Sequence, residues 1–103
     1  MVSSDGYFSR AYGWISSQTT GTVKVLAYVY TLTNNSNAMS GTLIAQANVS
    51  VTNDSKIYSF EIPTPAAPYA LSKGQVLMLW YFPSVTMSNC NANGSVEVTL
   101  NPQ

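Results

Sequence analysis

Along this chain apolar side chains recur at every second position, the period of a strand whose successive side chains point to opposite faces. No window of a dozen residues carries a helical stripe. The first strong strand runs from Thr22 to Thr33, with Val23, Val25, Ala27 and Val29 on one face and Leu26, Tyr28, Tyr30 and Leu32 on the other. β-Branched and aromatic residues of this kind fit a pleated surface. Because both faces are apolar, this segment is expected at the centre of a sheet. Asn34, Asn35, Ser36 and Asn37 then end it with turn-forming residues. Gly41 opens the next strand, in which Leu43, Ala45, Ala47, Val49 and Val51 alternate with Gln46, Asn48 and Ser50. Thr52 to Ser55 carry a tight turn signal, and Lys56 to Ile62 follow with Tyr58, Phe60 and Ile62 inward. This pair is expected to form a hairpin.

Pro63, Pro65 and Pro68 cannot donate ladder hydrogen bonds, so residues 63–73 read as an extended connection, with Lys73 and Gly74 turning the chain back. Gln75 to Phe82 is the most hydrophobic strand and, apolar on both faces, is expected beside the Tyr28 strand as a second central one. Ser84 to Asn93 reads as a polar loop. Gly94 to Asn101 reads as a closing strand with Val96, Val98 and Leu100 inward and Glu97 outward, and an early strand covers Tyr7 to Ser17 with Tyr12 and Trp14 on one face. Six to eight short strands with turns every 8 to 12 residues or so predict an all-β fold, a jelly-roll-like antiparallel β-sandwich. The whole chain, 1–103, reads as one such domain, with residues 1–6 expected to be flexible.

Composition narrows what such a domain does. Only four basic and four acidic residues are present, the net charge is zero and there is no histidine. Four scattered cations cannot neutralise a row of phosphates or build a polybasic lipid patch, so neither nucleic acid nor membrane insertion is expected. Without histidine the usual general base, the Ser-His-Asp triad and the ordinary zinc site are excluded. Ser, Thr, Asn and Gln fill 37 of the 103 positions, and these wet the surface where charge is missing. Such surfaces suit particle exteriors and secreted modules. Residues 1–10 lack the charged and apolar regions of a signal peptide. Two expectations reconcile that with an exterior surface, a domain cut from a longer secreted protein or a virion component assembled inside a cell; the third reading is a cytosolic protein of unusual composition.

The run from Tyr28 and Tyr30, through Gly41-Thr-Leu-Ile-Ala-Gln and the proline-bearing link, to Leu71-Ser-Lys-Gly-Gln-Val-Leu-Met-Leu-Trp80 resembles small jelly-roll β-sandwich modules. With its charge-poor surface the chain is most similar to exterior turret and spike proteins of archaeal viruses and to surface-adhesion modules. The resemblance spans residues 22–101, carries no catalytic residue over, and implies assembly or attachment on a virion surface or outside the cell.

Candidate chemistry is sparse. The carboxylates Asp5, Asp54, Glu61 and Glu97 are expected at a terminus, in a turn and on wet strand faces, so no catalytic pair, metal site or cofactor is predicted. Cys90 has no histidine to activate it. Asn-x-Ser/Thr sequons at Asn34, Asn48, Asn53 and Asn93 are candidate N-glycan acceptors. Trp14, Tyr69, Trp80 and Tyr81 are aromatic candidates for stacking on sugars, and Trp14 and Tyr69 are those expected to be least buried, hence the glycan-contact pair. The two-faced strands carry the strongest signal, because a strand in a two-sheet sandwich normally shows one wet face. Something is expected to cover the second face, either the N-terminal segment folded back or a neighbouring subunit. The first expectation is therefore a noncatalytic structural or attachment domain whose partners are other structural subunits or itself. The alternatives are a carbohydrate-binding module from a larger secreted protein and an archaeal surface-filament subunit.

Overall fold

The computed structural model describes residues 1–32, 39–54 and 56–100, and every regular element among them is a strand. In chain order these are β1 (Gly6–Ser16), β2 (Gly21–Leu32), β3 (Met39–Val51), β4 (Tyr58–Ile62), β5 (Ala70–Leu71), β6 (Val76–Pro83) and β7 (Asn91–Leu100). They form two antiparallel sheets. In sheet A, β1 is central, with β7 along one side and β4 and then β5 along the other. Sheet B has the order β3-β2-β6. The sheets face each other as an open sandwich, a slab of 47 × 31 × 19 Å.

Alternation fills the space between the sheets. Sheet A contributes Phe8, Ala11 and Ile15 from β1, Phe60 and Ile62 from β4, and Leu71 from β5. Sheet B contributes Val23, Val25, Ala27 and Val29 from β2 with Val49 and Val51 from β3. The β-branched face of β2 is thus its core face. Bulges adjust the alternation at two points. One, at Ser9, lies between Phe8 and Arg10 of β1. The other sets Ala27 opposite Ala45 but Tyr28 opposite Leu43, leaving Ile44 as the extra residue. Ile44 packs on the core, and Leu43, expected inward, stands on the outer face with Tyr28.

Two pairings differ from the sequence expectation. β3 and β4 do not form a hairpin: β3 pairs with β2, and β4 pairs with β1 in the other sheet. The turn chemistry between them is present all the same. The Asp54 carboxylate accepts from the Lys56 main-chain N–H at 3.1 Å and from the Tyr58 hydroxyl at 2.8 Å, and the Tyr58 and Thr52 hydroxyls are bonded to each other. These contacts bend a link that carries the chain from one sheet to the other. The second difference is β6, which neighbours β2 as expected but lies at the edge of sheet B, not at its centre.

The Asp54 bonds give a pH prediction. Hydrogen bonds from Thr52 and then Tyr58 hold its pKa down from 3.8 to about 2. Its folded value lies below its unfolded one, so the contact supports the fold above the ordinary carboxylate pKa and the support is lost as pH falls through about 2. A carboxyl NMR titration is expected to show an Asp54 midpoint near 2; a midpoint at the ordinary 3.8 contradicts the hydrogen-bonded turn.

The segment before β1, expected to be flexible, is bonded to the β5–β6 turn. The Val2 N–H donates to the Gln75 carbonyl, the Gly74 N–H donates to the Val2 carbonyl, and the Lys73 N–H donates to the Asp5 carboxylate, each at 2.8 Å. Val2 is buried in the core beside Leu77, Val96 and Val98. Gly74 takes the turn at φ 92°, a backbone conformation that favours glycine. At the other end, Gln18 and Thr19 in the β1–β2 link bond to Ser88 and Asn89 of the β6–β7 loop.

Candidate functional site: the outer face of sheet B

Register determines what sheet B shows to solvent. Because directly opposed residues share a face, the β3-β2-β6 ladders set out rows of Asn48–Lys24–Phe82, Gln46–Leu26–Trp80, Leu43–Tyr28–Met78 and Gly41–Tyr30–Val76. The rings run on as one cluster. Tyr30 stacks on Tyr28 at 5.9 Å, Tyr28 meets Trp80 edge-on at 6.4 Å, and Trp80 stacks on Phe82 at 6.1 Å with their planes 18° apart. Tyr30 also lies across Gly41, where an added Cβ would come within 2.6 Å of the ring. The glycine leaves the floor on which this aromatic rests.

The cluster is open to solvent. Phe82 is 49% exposed, Leu43 43% and Trp80 40%. The N-terminal segment does not lie over it, since Val2 is inserted at the β5–β6 end of the core. Lys24 is the single charge in these rows, and hydroxyl and amide side chains from Thr22, Asn48, Ser50 and Ser84 border it. An aromatic and methionine centre with few charges, inside a polar border, is the composition of a protein interface.

The outer face of sheet A is different in kind. Arg10 donates from Nε to Glu97 at 2.9 Å and from Nη2 at 3.2 Å, stands 3.8 Å from Glu61, and lies 4.9 Å over the Tyr12 ring. The Ser9 and Thr99 hydroxyls are bonded at 2.6 Å. Arg10 thus occupies the space between Glu61 on β4 and Glu97 on β7, the two carboxylates with strand-face positions. The guanidinium holds Glu97 below its ordinary pKa, opposite to the raised value a general acid needs. Among the described residues no three His, Cys, Asp or Glu side chains cluster as a metal site would require. Cys90 is free and exposed.

The sequence-derived candidates fall in different places. Trp14 is half-buried on the outer face of sheet A, opposite Ser59 and Asn93. Tyr69 packs against the core, and its carbonyl accepts from the Phe8 N–H at 3.0 Å. Asn48, Asn53 and Asn93 are exposed, whereas Asn34 lies outside the described residues. Tyr81 points inward, meets Phe60 edge-on at 6.1 Å, and burial pushes its phenol pKa up. Its neighbours are the exposed aromatics: Trp80, one of the four aromatic candidates though not of the pair expected to be least buried, and Phe82, which sequence reasoning did not single out. The available signal was parity: pairing β6 with the β-branched face of β2 puts Leu77, Leu79 and Tyr81 inside and turns Met78, Trp80 and Phe82 out. No known protein family, curated protein or solved structure matches the chain.

Proposed function

We propose that this chain is a noncatalytic structural domain of a particle exterior, a turret- or spike-type virion component, which joins its neighbours by docking the outer face of sheet B against the same face of a second copy. The observation that carries this reading is the continuous ring cluster from Tyr30 to Phe82, with Trp80 and Phe82 40% and 49% exposed at its open end. Burying such a patch is favourable at roughly 25 cal/mol per Å². The shape also suits a copy of itself, because twisted sheets pack face to face with their strands within about 30°. At about 3.3 Å per residue and 4.8 Å per strand the face measures roughly 40 by 14 Å. Side-chain relief brings that footprint toward the ~800 Å² per partner of a stable interface. Lys24, the single charge in the rows, stands toward one end, so an antiparallel arrangement keeps the two lysines apart.

Sedimentation or light scattering across a concentration series tests the reading. The expected result is a mass rising to that of a dimer, with Trp80→Ser and Phe82→Ser each weakening association about 30-fold, the effect of losing ~2 kcal/mol at an interface centre. A mass that stays monomeric to millimolar protein overturns it. One observation favours a second reading, a carbohydrate-binding module: the Trp80 indole, 40% exposed beside Phe82, offers apolar ring surface of the kind a pyranose stacks on. Binding on a glycan array that is lost in Trp80→Ser, with no change of mass, selects that reading.

A further inference from the structure

Two features that docking through sheet B leaves unused meet on the opposite face of the molecule. Asn93, Gly94 and Ser95 form a sequon on β7, and Trp14 is the half-buried indole of β1. In the β1–β7 ladder Trp14 stands directly opposite Asn93, and Tyr12 directly opposite Ser95. Directly opposed side chains share a face with Cβ atoms about 4.5–5.5 Å apart, and residues two apart along a strand share it too. The acceptor amide and the hydroxyl of the sequon therefore project from the same side of the sheet as the two rings. Asn93 and Ser95 are both exposed, and no side-chain hydrogen bond engages the Asn93 amide among the described residues.

These side chains border a shallow groove of about 420 Å³, closed on its far side by Ser59 and by Ile57, which is 68% exposed. No charged side chain lines it. The other sequons are placed differently. Asn48 faces Lys24 across β2 and lies on the border of the aromatic face of sheet B, where a bulky substituent would obstruct docking. Asn53 sits in the link after β3, and its sequon includes Ser55, outside the described residues. Among the described sequons only Asn93 has an aromatic residue as its direct cross-strand partner.

We infer that Asn93 is an N-glycosylation acceptor whose first sugars fold back onto the Trp14 indole, so that this tryptophan receives the chain's own glycan. The co-reactant is a diphosphate-activated oligosaccharide supplied by a glycosylating host. The Asn93 amide nitrogen forms a bond to the anomeric carbon, the bond from that carbon to the diphosphate oxygen breaks, and the amide gives up one proton. The diphosphate leaves with the bonding electrons. Nothing is oxidised or reduced. The sugar attached to Nδ2 then lies one strand spacing from the indole, and the C–H face of a pyranose covers apolar ring surface that water otherwise wets.

The test is secretion of the full chain from an N-glycosylating host, peptide mapping by mass spectrometry, and NMR of the two indole N–H groups before and after enzymatic deglycosylation. The expected result is an occupied Asn93, occupancy lost in Ser95→Ala, and a Trp14 indole resonance that shifts on deglycosylation while that of Trp80 does not. In Trp14→Ala the site is still occupied, but the first sugar's protons lose the ring-current shift they show in the parent chain. An unmodified Asn93 in the secreted chain overturns the inference, whatever the state of Asn48 and Asn53. So does an occupied Asn93 whose deglycosylation leaves the Trp14 resonance unmoved. Neither outcome bears on dimer formation through sheet B, which the sedimentation experiment reads separately.

Discussion

Phe8→Ala is expected to remove about 3–5 kcal/mol of folding stability, the cost of deleting a buried aromatic side chain from a close-packed core. Phe8 is 1% exposed on the central strand of sheet A, just before the bulge at Ser9. A slab 19 Å thick holds one layer of side chains between its sheets, so no second layer can collapse into the space left behind. Small domains have about 5–15 kcal/mol in total, and this substitution consumes a large part of it. Denaturant unfolding is expected to show a lower midpoint at an unchanged slope. The neighbouring Tyr7→Ala provides the contrast: Tyr7 is 43% exposed on the opposite face, and its loss is expected to change stability by about 0.5 kcal/mol or less. Equal effects at the two positions contradict the assignment of faces along β1.

Gly13→Ala is expected to cost about 3 kcal/mol by the opposite mechanism, overfilling. Gly13 pairs with Gly94 across the β1–β7 ladder, and the Phe60 ring lies against both. An added Cβ at Gly13 would stand 2.1 Å from the Asn93 carbonyl oxygen, 2.7 Å from the Gly94 Cα and 2.9 Å from the Phe60 ring. Two of these neighbours are main chain, so the ladder itself has to open. Gly21→Ala is the matched control, because its nearest neighbour is the terminal methyl of Met87 at 2.9 Å, a flexible end that can move aside. That variant is expected to lose less than about 1 kcal/mol. Thermal unfolding of the pair decides the matter, and a Gly13→Ala protein as stable as Gly21→Ala would show that β1 and β7 are not this close.

The strands were legible in the sequence because the two-residue period is a local property. Val23 to Val29, and Tyr58, Phe60 and Ile62, face inward as their alternation predicts. Sheet membership was not legible, because periodicity does not say which neighbour a strand takes. The Asn53-Asp54 turn signal is real, yet six residues separate β3 from β4, enough for the chain to cross between sheets. Parity failed where a bulge intervened. Leu43 reads as inward until Ile44 is inserted before the ladder resumes. In β6 both faces are apolar, so alternation alone cannot choose between Trp80 and Tyr81 as the exposed ring; the β2 pairing makes that choice. Two-sided apolarity was a sound signal of an unusual face, but at β6 it marks an open edge strand where burial on both sides was expected.

The border of sheet B has a consequence of its own. β3 runs for thirteen residues without a charge or a proline, and among the described residues no strand pairs with its outer side. Natural edges usually carry lysine, proline or strong bends that discourage addition of another strand. Under the docking proposed above, contact between like faces closes at two copies, since each copy uses its one such face. Pairing of the β3 edge with the β6 edge of the next copy would be head-to-tail and has no such stopping point. Breadth would then set the number of copies in a unit and rim the extent of the lattice, two decisions held by separate parts of one small tile.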